Sequence, residues 1–98
     1  MESYCNNEFV LTKQATSSHL EGKINISGVP EENLPNIGQL VNVVLDEVVI
    51  TANFILASSY RINKVEIGNW LQQKNVHVGD VYFIRICNRS TFTFFLHN

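Results

Sequence analysis

The sequence has no apolar run near the roughly 20 residues that a membrane-spanning helix needs. Stretches such as Val48-Val49-Ile50 and Phe54-Ile55-Leu56-Ala57 are typical of it. The opening Met1-Glu2-Ser3-Tyr4-Cys5-Asn6-Asn7-Glu8 lacks the basic and apolar regions of a leader peptide, and a soluble intracellular domain is expected. Cysteine is scarce. Cys5 and Cys87 stand at opposite ends of the chain and form no CxxC, so no disulfide scaffold is expected and both are read as reduced. Cys87, inside an apolar run, is read as a small core residue. Outside a secretory setting the sequons Asn25-Ile26-Ser27 and Asn88-Arg89-Ser90 carry no weight.

Chemistry-bearing motifs are equally sparse. His19, His77 and His97 show no HxxxH spacing and no cysteine partners, which argues against zinc. Neither GxSxG nor GxxxxGK[ST] occurs, and the five glycines are scattered. The acid pairs Glu31-Glu32 and Asp46-Glu47 fall in a proline-bracketed loop and at a hairpin turn, where solvated acids are the ordinary finding. Acid–base catalysis needs burial to push two pKa values apart. The chain is therefore expected to be non-catalytic by itself, with no cofactor and no metal.

What is present is apolar and regularly patterned. Hydrophobic residues make up 45% of the 98, enough for one domain and one core. Most of the chain alternates with period two, the signature of half-buried strands. Phe9, Leu11 and Lys13 open a first strand. Residues 20–27 form a second, with Leu20, Ile24 and Ile26 on one face and Lys23 and Asn25 on the other. Val41, Val43 and Leu45 share a side of a third, over residues 38–46. A tight turn at Asp46-Glu47 leads to a fourth, over residues 48–57. Residues 80–87 and 91–97 make a closing pair joined by Asn88-Arg89-Ser90, with Phe92, Phe94 and Leu96 facing one way. Both prolines lie in residues 27–36, which read as a turn with one short helical turn. Over residues 65–74, Ile67, Trp70, Leu71 and Lys74 recur at i, i+3, i+4 and i+7, giving an amphipathic helix capped by Asn63. Trp70 is expected to close one barrel end from the core side, and Phe95, out of phase, to meet another domain or chain. Six or seven strands and one late helix point to a closed or nearly closed barrel.

Net charge is −2, unevenly divided. Residues 1–49 set two lysines against seven carboxylates, net −5, whereas residues 50–98 set five cations against two carboxylates, net +3. Two polar clusters, residues 12–19 and 57–64, mix hydroxyls, amides and cations. The acid-free stretches 9–20 and 48–65 enclose them. The first joins strands one and two, and the second joins strand four to the helix. Such clusters suit phosphate contacts through Lys and Ser/Thr, and base-edge contacts through Gln, Asn and Arg. They are equally the composition of ordinary hairpin tips.

The order of these features resembles the B3 DNA-binding domain. Phe9-Val10-Leu11-Thr12 leads through a Ser/Thr loop to Lys23-Ile24-Asn25-Ile26. A proline region, a hairpin and Ala57-Ser58-Ser59-Tyr60-Arg61 follow. Then come the helix with Ile67, Trp70 and Leu71, and Lys74-Asn75-Val76-His77-Val78-Gly79-Asp80-Val81-Tyr82-Phe83. The resemblance implies a mainly β, seven-stranded open pseudobarrel with one or two short helices. It also implies sequence-specific double-stranded DNA binding through two major-groove arms. The family occurs in plant transcription factors and in bacterial restriction endonucleases, so the setting would be nuclear or cytoplasmic respectively. The modest basic charge favours a restriction recognition module, with any cleavage in another nuclease domain or subunit.

Carried onto this sequence, the arms are residues 13–19 and about 53–64. Gln14, Thr16, Ser18, His19, Ser58, Tyr60, Arg61 and Asn63 are the expected base readers. Arg61 leads, because a guanidinium can bond O6 and N7 of one guanine. Lys13, Ser17, Lys23, Lys64 and Arg89 are the expected phosphate contacts, and Asn53 and Ser59 complete the set. Tyr60 suits packing at the barrel mouth as well as base reading, and Arg89 suits a solvated turn. The rival reading is a small β-barrel interaction or inhibitor module for a basic protein partner, motivated by the seven acids of the first half.

Overall fold

In a computed structural model of the chain, residues 5–97 are described; residues 1–4, part of the opening read as leaderless, lie outside them. Seven strands and two α-helices follow in the order β1 (Glu8–Gln14), α1 (Ser17–Leu20), β2 (Lys23–Asn25), β3 (Leu40–Leu45), β4 (Val48–Leu56), β5 (Tyr60–Asn63), α2 (Val65–Gln73), β6 (Val81–Cys87) and β7 (Thr91–Phe95), with a short 3-10 turn at Glu31–Asn33. The strands form one curled open sheet in the order β1-β6-β7-β3-β4-β5-β2, a pseudobarrel. Among the described residues, β3 and β7 are the one parallel pair.

The period-two residues do what alternation demands. Val41, Val43, Phe54, Ile62, Ile84, Ile86, Phe92 and Phe94 all face inward and are buried. Each such side chain stabilises the fold by about 1.5–3 kcal/mol through removal from water. From α2, Ile67, Trp70 and Leu71 join this core. Trp70 meets Phe94 edge-on at 6.4 Å, and its indole N–H donates to Asp46 Oδ2 at 3.0 Å, so the ring closes one end of the barrel.

The open pseudobarrel is as expected, with β1 and β2 as its free edges. Four expectations need correction. Residues 60–63, read as part of a polar connector, are strand β5, because Ile62 fills the core while β4 and β2 bond both sides of its backbone. The α2 N-cap is Lys64, which makes no side-chain cap bond, and Asn63 is the last residue of β5. The cysteines are joined. Antiparallel pairing of β1 with β6 sets Glu8 opposite Cys87, so Cys5, three residues upstream, reaches it with Cα atoms 5.4 Å apart. Cys87 shares the outward parity of Phe83 and Arg85 and is half-buried, not a core residue. With the pair joined, cysteine usage no longer supports an intracellular setting. No helix among the described residues is long and apolar enough to cross a membrane.

Phe95 stacks on Phe83 at 5.4 Å on the outer face of the sheet, which accounts for its opposite phase. The β6–β7 turn carries Asn88 and Arg89 in the left-handed region (φ 54° and 60°).

Candidate nucleic-acid interface

The two acid-free segments meet at the seam where the sheet fails to close. The first segment bridges its edge strands β1 and β2. Its root is tied to the turn before β6: Ala15 N–H donates to the Asp80 carbonyl at 2.7 Å, and Gly79 N–H donates to the Ala15 carbonyl at 2.8 Å. Gln14 adds a side-chain bond to the Gly79 carbonyl at 3.3 Å. Thr16 then caps α1, its hydroxyl accepting from His19 N–H.

The far end of the segment is locked to the second. Lys64 N–H donates to the Gly22 carbonyl at 2.8 Å, and Gln72 Nε2 donates to the Leu20 carbonyl at 2.8 Å. This approach requires glycine twice. A Cβ on Gly22, which has φ +89°, would lie 2.1 Å from the Lys64 carbonyl oxygen, and one on Gly68 would lie 2.4 Å from that of Leu20. The second segment turns at Ala57–Ser59, where Ala57 N–H donates to the Ser59 carbonyl, and returns as β5. Pairing of β5 with β2 sets Arg61 directly opposite Asn25 and Asn63 opposite Lys23. Side chains at such positions share one face and stand about 5 Å apart.

The result is one polar depression of about 220 Å³, lined by Thr16, Ser18, His19, Lys23, Asn25, Ser59 and Arg61. Arg61 is half-buried. One Nη lies 3.4 Å from Ser58 Oγ, and the enclosed Nε has no hydrogen-bond partner. A second depression of about 270 Å³, with Asn53, Ile55, Asn63 and Lys64 among its walls, lies on the same outer side of β4 and β5. Ser17 and Ser18 are exposed on α1 and Gln14 on the last position of β1.

Beneath the depression runs a polar network. Asn25 Oδ1 accepts from Lys13 Nζ at 3.1 Å and from His19 Nε2 at 2.9 Å, while Tyr82 OH bonds His19 Nδ1 at 3.0 Å. An amide oxygen only accepts, so His19 carries its proton on Nε2 and Tyr82 donates to Nδ1. Burial lowers the His19 pKa below its ordinary value; the Asn25 bond opposes this and the nearby Lys13 charge adds to it. Burial also lowers the Lys13 pKa and raises that of Tyr82.

Most of the candidate residues are thus brought together, but four assignments change. His19 is only 3% exposed and Lys13 8%, so neither presents its polar atoms to a duplex; they hold the arm from below. Lys13 shares the inward parity of Leu11, which alternation alone implied. Arg89 lies at the other end of the β1–β6 ladder from Gln14, where its Nε donates to the Leu34 carbonyl at 2.6 Å, and it is not part of the depression. Tyr60 stacks on Phe54 at 5.3 Å and packs against the core, the role of a residue at the barrel mouth. Lys23 stays on the rim at 54% exposure, paired with Glu21 at 3.4 Å.

Asn25 is the member that sequence reasoning missed. Its one visible signal was its outward parity beside Lys23. Among the described residues, no group of three or more His, Cys, Asp or Glu side chains is placed to hold a metal ion.

No protein-family model matches the chain, and no curated protein matches it. Its structure is similar to that of the hypothetical Arabidopsis thaliana protein At1g16640.1, with a TM-score of 0.64 over 98% of each chain and 16% sequence identity. At that identity the likeness is one of fold.

Proposed function

We infer that the chain binds double-stranded DNA in a sequence-specific way, presenting the β1–α1 arm and the β4–β5 arm to one major groove. The observation that carries this reading is the convergence of two acid-free segments on a single polar depression, with the half-buried Arg61 guanidinium on its wall. A guanidinium held with spare donors suits the paired acceptors of guanine, and Ser18, Ser59, Asn25 and Asn63 supply further donors and acceptors around it. The B3 resemblance supports the same reading. Any cleavage would belong to a separate nuclease domain or subunit, as in a restriction recognition module.

The cations available for phosphates are fewer than charge counting implied. Lys13 is buried, Arg89 is remote, and Lys23 shares its charge with Glu21. If Lys23 and Lys64 neutralise about two phosphates, the log–log dependence of affinity on salt has a slope of about −1.8. The test is selection from a randomised duplex pool followed by mobility shift. Enrichment of one motif supports the reading, and no retardation of any duplex at low salt overturns it.

A further inference from the structure

At the far end of β4 from the arms lies a groove that the DNA reading does not use. It is an open trough of about 800 Å³ between the β3–β4 turn and one face of α2, with Leu45, Asp46, Glu47, Val48, Glu66 and Trp70 among its walls. Its apolar part is Leu45, the indole of Trp70 and Val48, the last 58% exposed. Its rim carries three carboxylates. Asp46 is occupied: it accepts from Trp70 Nε1 and pairs with Lys74 at 2.9 Å, and these two bonds hold its carboxyl below the usual range. Glu47 and Glu66 make no ion pair among the described residues.

Asp46 and Trp70 also border a neighbouring depression, lined by Lys74, Phe95 and Leu96. Lys74 lays its ammonium 5.9 Å from the centre of the Trp70 ring while bonding Asp46. An alkylammonium over an indole face, tethered by a carboxylate, is favourable on both counts. Beside it stand two unpaired carboxylates and exposed aliphatic surface, a combination that repels a phosphate backbone and attracts cationic, aliphatic side chains. Nine residues of β4 separate this end of the strand from the Ala57–Ser59 turn, so both sites can be occupied together.

We propose that the trough between the β3–β4 turn and α2 docks a basic, aliphatic-rich peptide segment of a partner protein, with Glu47 and Glu66 receiving its cations. The occupant is a peptide because the trough is open and sets exposed Val48 and the edges of Leu45 and Trp70 beside a charged rim, the division usual in a segment-binding groove.

Trp70 is the sole tryptophan, so tryptophan emission reports the surroundings of this one ring, of which the trough is one side. The full chain is panned against a random displayed-peptide library, and the enriched peptides are synthesised and titrated while Trp70 fluorescence is followed. The expected result is enrichment of peptides pairing Lys or Arg with Leu, Ile or Val, and a saturable change in emission. Affinity should fall about tenfold in Glu47→Gln/Glu66→Gln, as two rim charges would give. Glu31→Gln/Glu32→Gln removes the same charge from the exposed 3-10 turn and should leave affinity unchanged. Failure to enrich any peptide, enrichment of neutral or acidic ones, or equal loss in both double variants overturns the proposal. So does an emission change that follows protein concentration alone, which would make the trough an interface between copies of this chain. DNA affinity measured on the same variants is expected to be unchanged, which keeps this test separate from that of the DNA reading.

Discussion

Lys13 and Asn25 stand on the two free edges of the sheet and are joined across the gap by a hydrogen bond of 3.1 Å from Nζ to Oδ1. Where backbone pairing fails to close the barrel, side chains close it, and the proposed DNA surface lies directly over that seam.

This arrangement makes opposite predictions for the two partners. Asn25→Ala strands the Lys13 ammonium and the His19 Nε2–H without their acceptor, and is expected to cost about 2–4 kcal/mol. Lys13→Met removes a nearly buried cation along with its need for a partner. It should change stability by less than about 1 kcal/mol and leave DNA affinity intact. Urea midpoints of the two variants, compared with the parent, check this. A large loss of DNA binding in a stable Lys13→Met would return Lys13 to the phosphate contacts.

His19 makes stability depend on pH in a known sense. Its folded pKa lies below 6.5, chiefly through burial, so the unfolded chain takes up a proton before the folded one does. The stabilisation is complete above about pH 6.5 and is lost as pH falls from there toward the folded pKa. Thermal midpoints should therefore decline between pH 6.5 and 5. The decline should be shallower in His19→Gln, whose side chain does not titrate. An equal decline in both would place the effect elsewhere.

The glycine contacts predict a graded series. Gly68→Ala drives a methyl group against backbone that cannot yield, with an expected cost of about 2–4 kcal/mol, and Gly22→Ala adds a left-handed conformation to a similar clash. Gly28→Ala meets open space and carries only the conformational cost of φ +78°, about 1 kcal/mol. Denaturant melts rank the three. Because Gly22 and Gly68 bring the two arms together, their variants should also weaken DNA binding under conditions where the chain is folded.

Much of this fold was legible in the sequence, for physical reasons that also explain what was not. Val41, Val43 and Leu45, or Phe92 and Phe94, announce strands because a sheet that buries one face imposes strict alternation. Ile67, Trp70 and Leu71 announce a helix because its buried stripe imposes a different period. Strand β5 escaped notice because Ile62 is its one fully buried residue. The joining of Cys5 to Cys87 depends on strand order, which periodicity does not carry. The same holds for the site. Composition found the two arms, but the burial of His19 depends on Tyr82 and Asn25, and the remoteness of Arg89 on the direction of β6. Parity did place Lys13 inward; its charge favoured the wrong inference.

The most direct measurement uses a selected duplex in which the guanines of the recognised site are replaced one at a time by 7-deazaguanine, which removes the major-groove N7 acceptor and leaves base pairing unchanged. For the parent chain, one replacement should lower affinity about tenfold, as expected when one good base contact is lost. Arg61→Ala should bind that duplex and the unmodified one equally, while Arg89→Ala, altered at the far end of the barrel, should behave as the parent. If no replacement affects the parent, or if Arg61→Ala weakens selected and scrambled duplexes alike, the arms do not read bases in the major groove and the account fails.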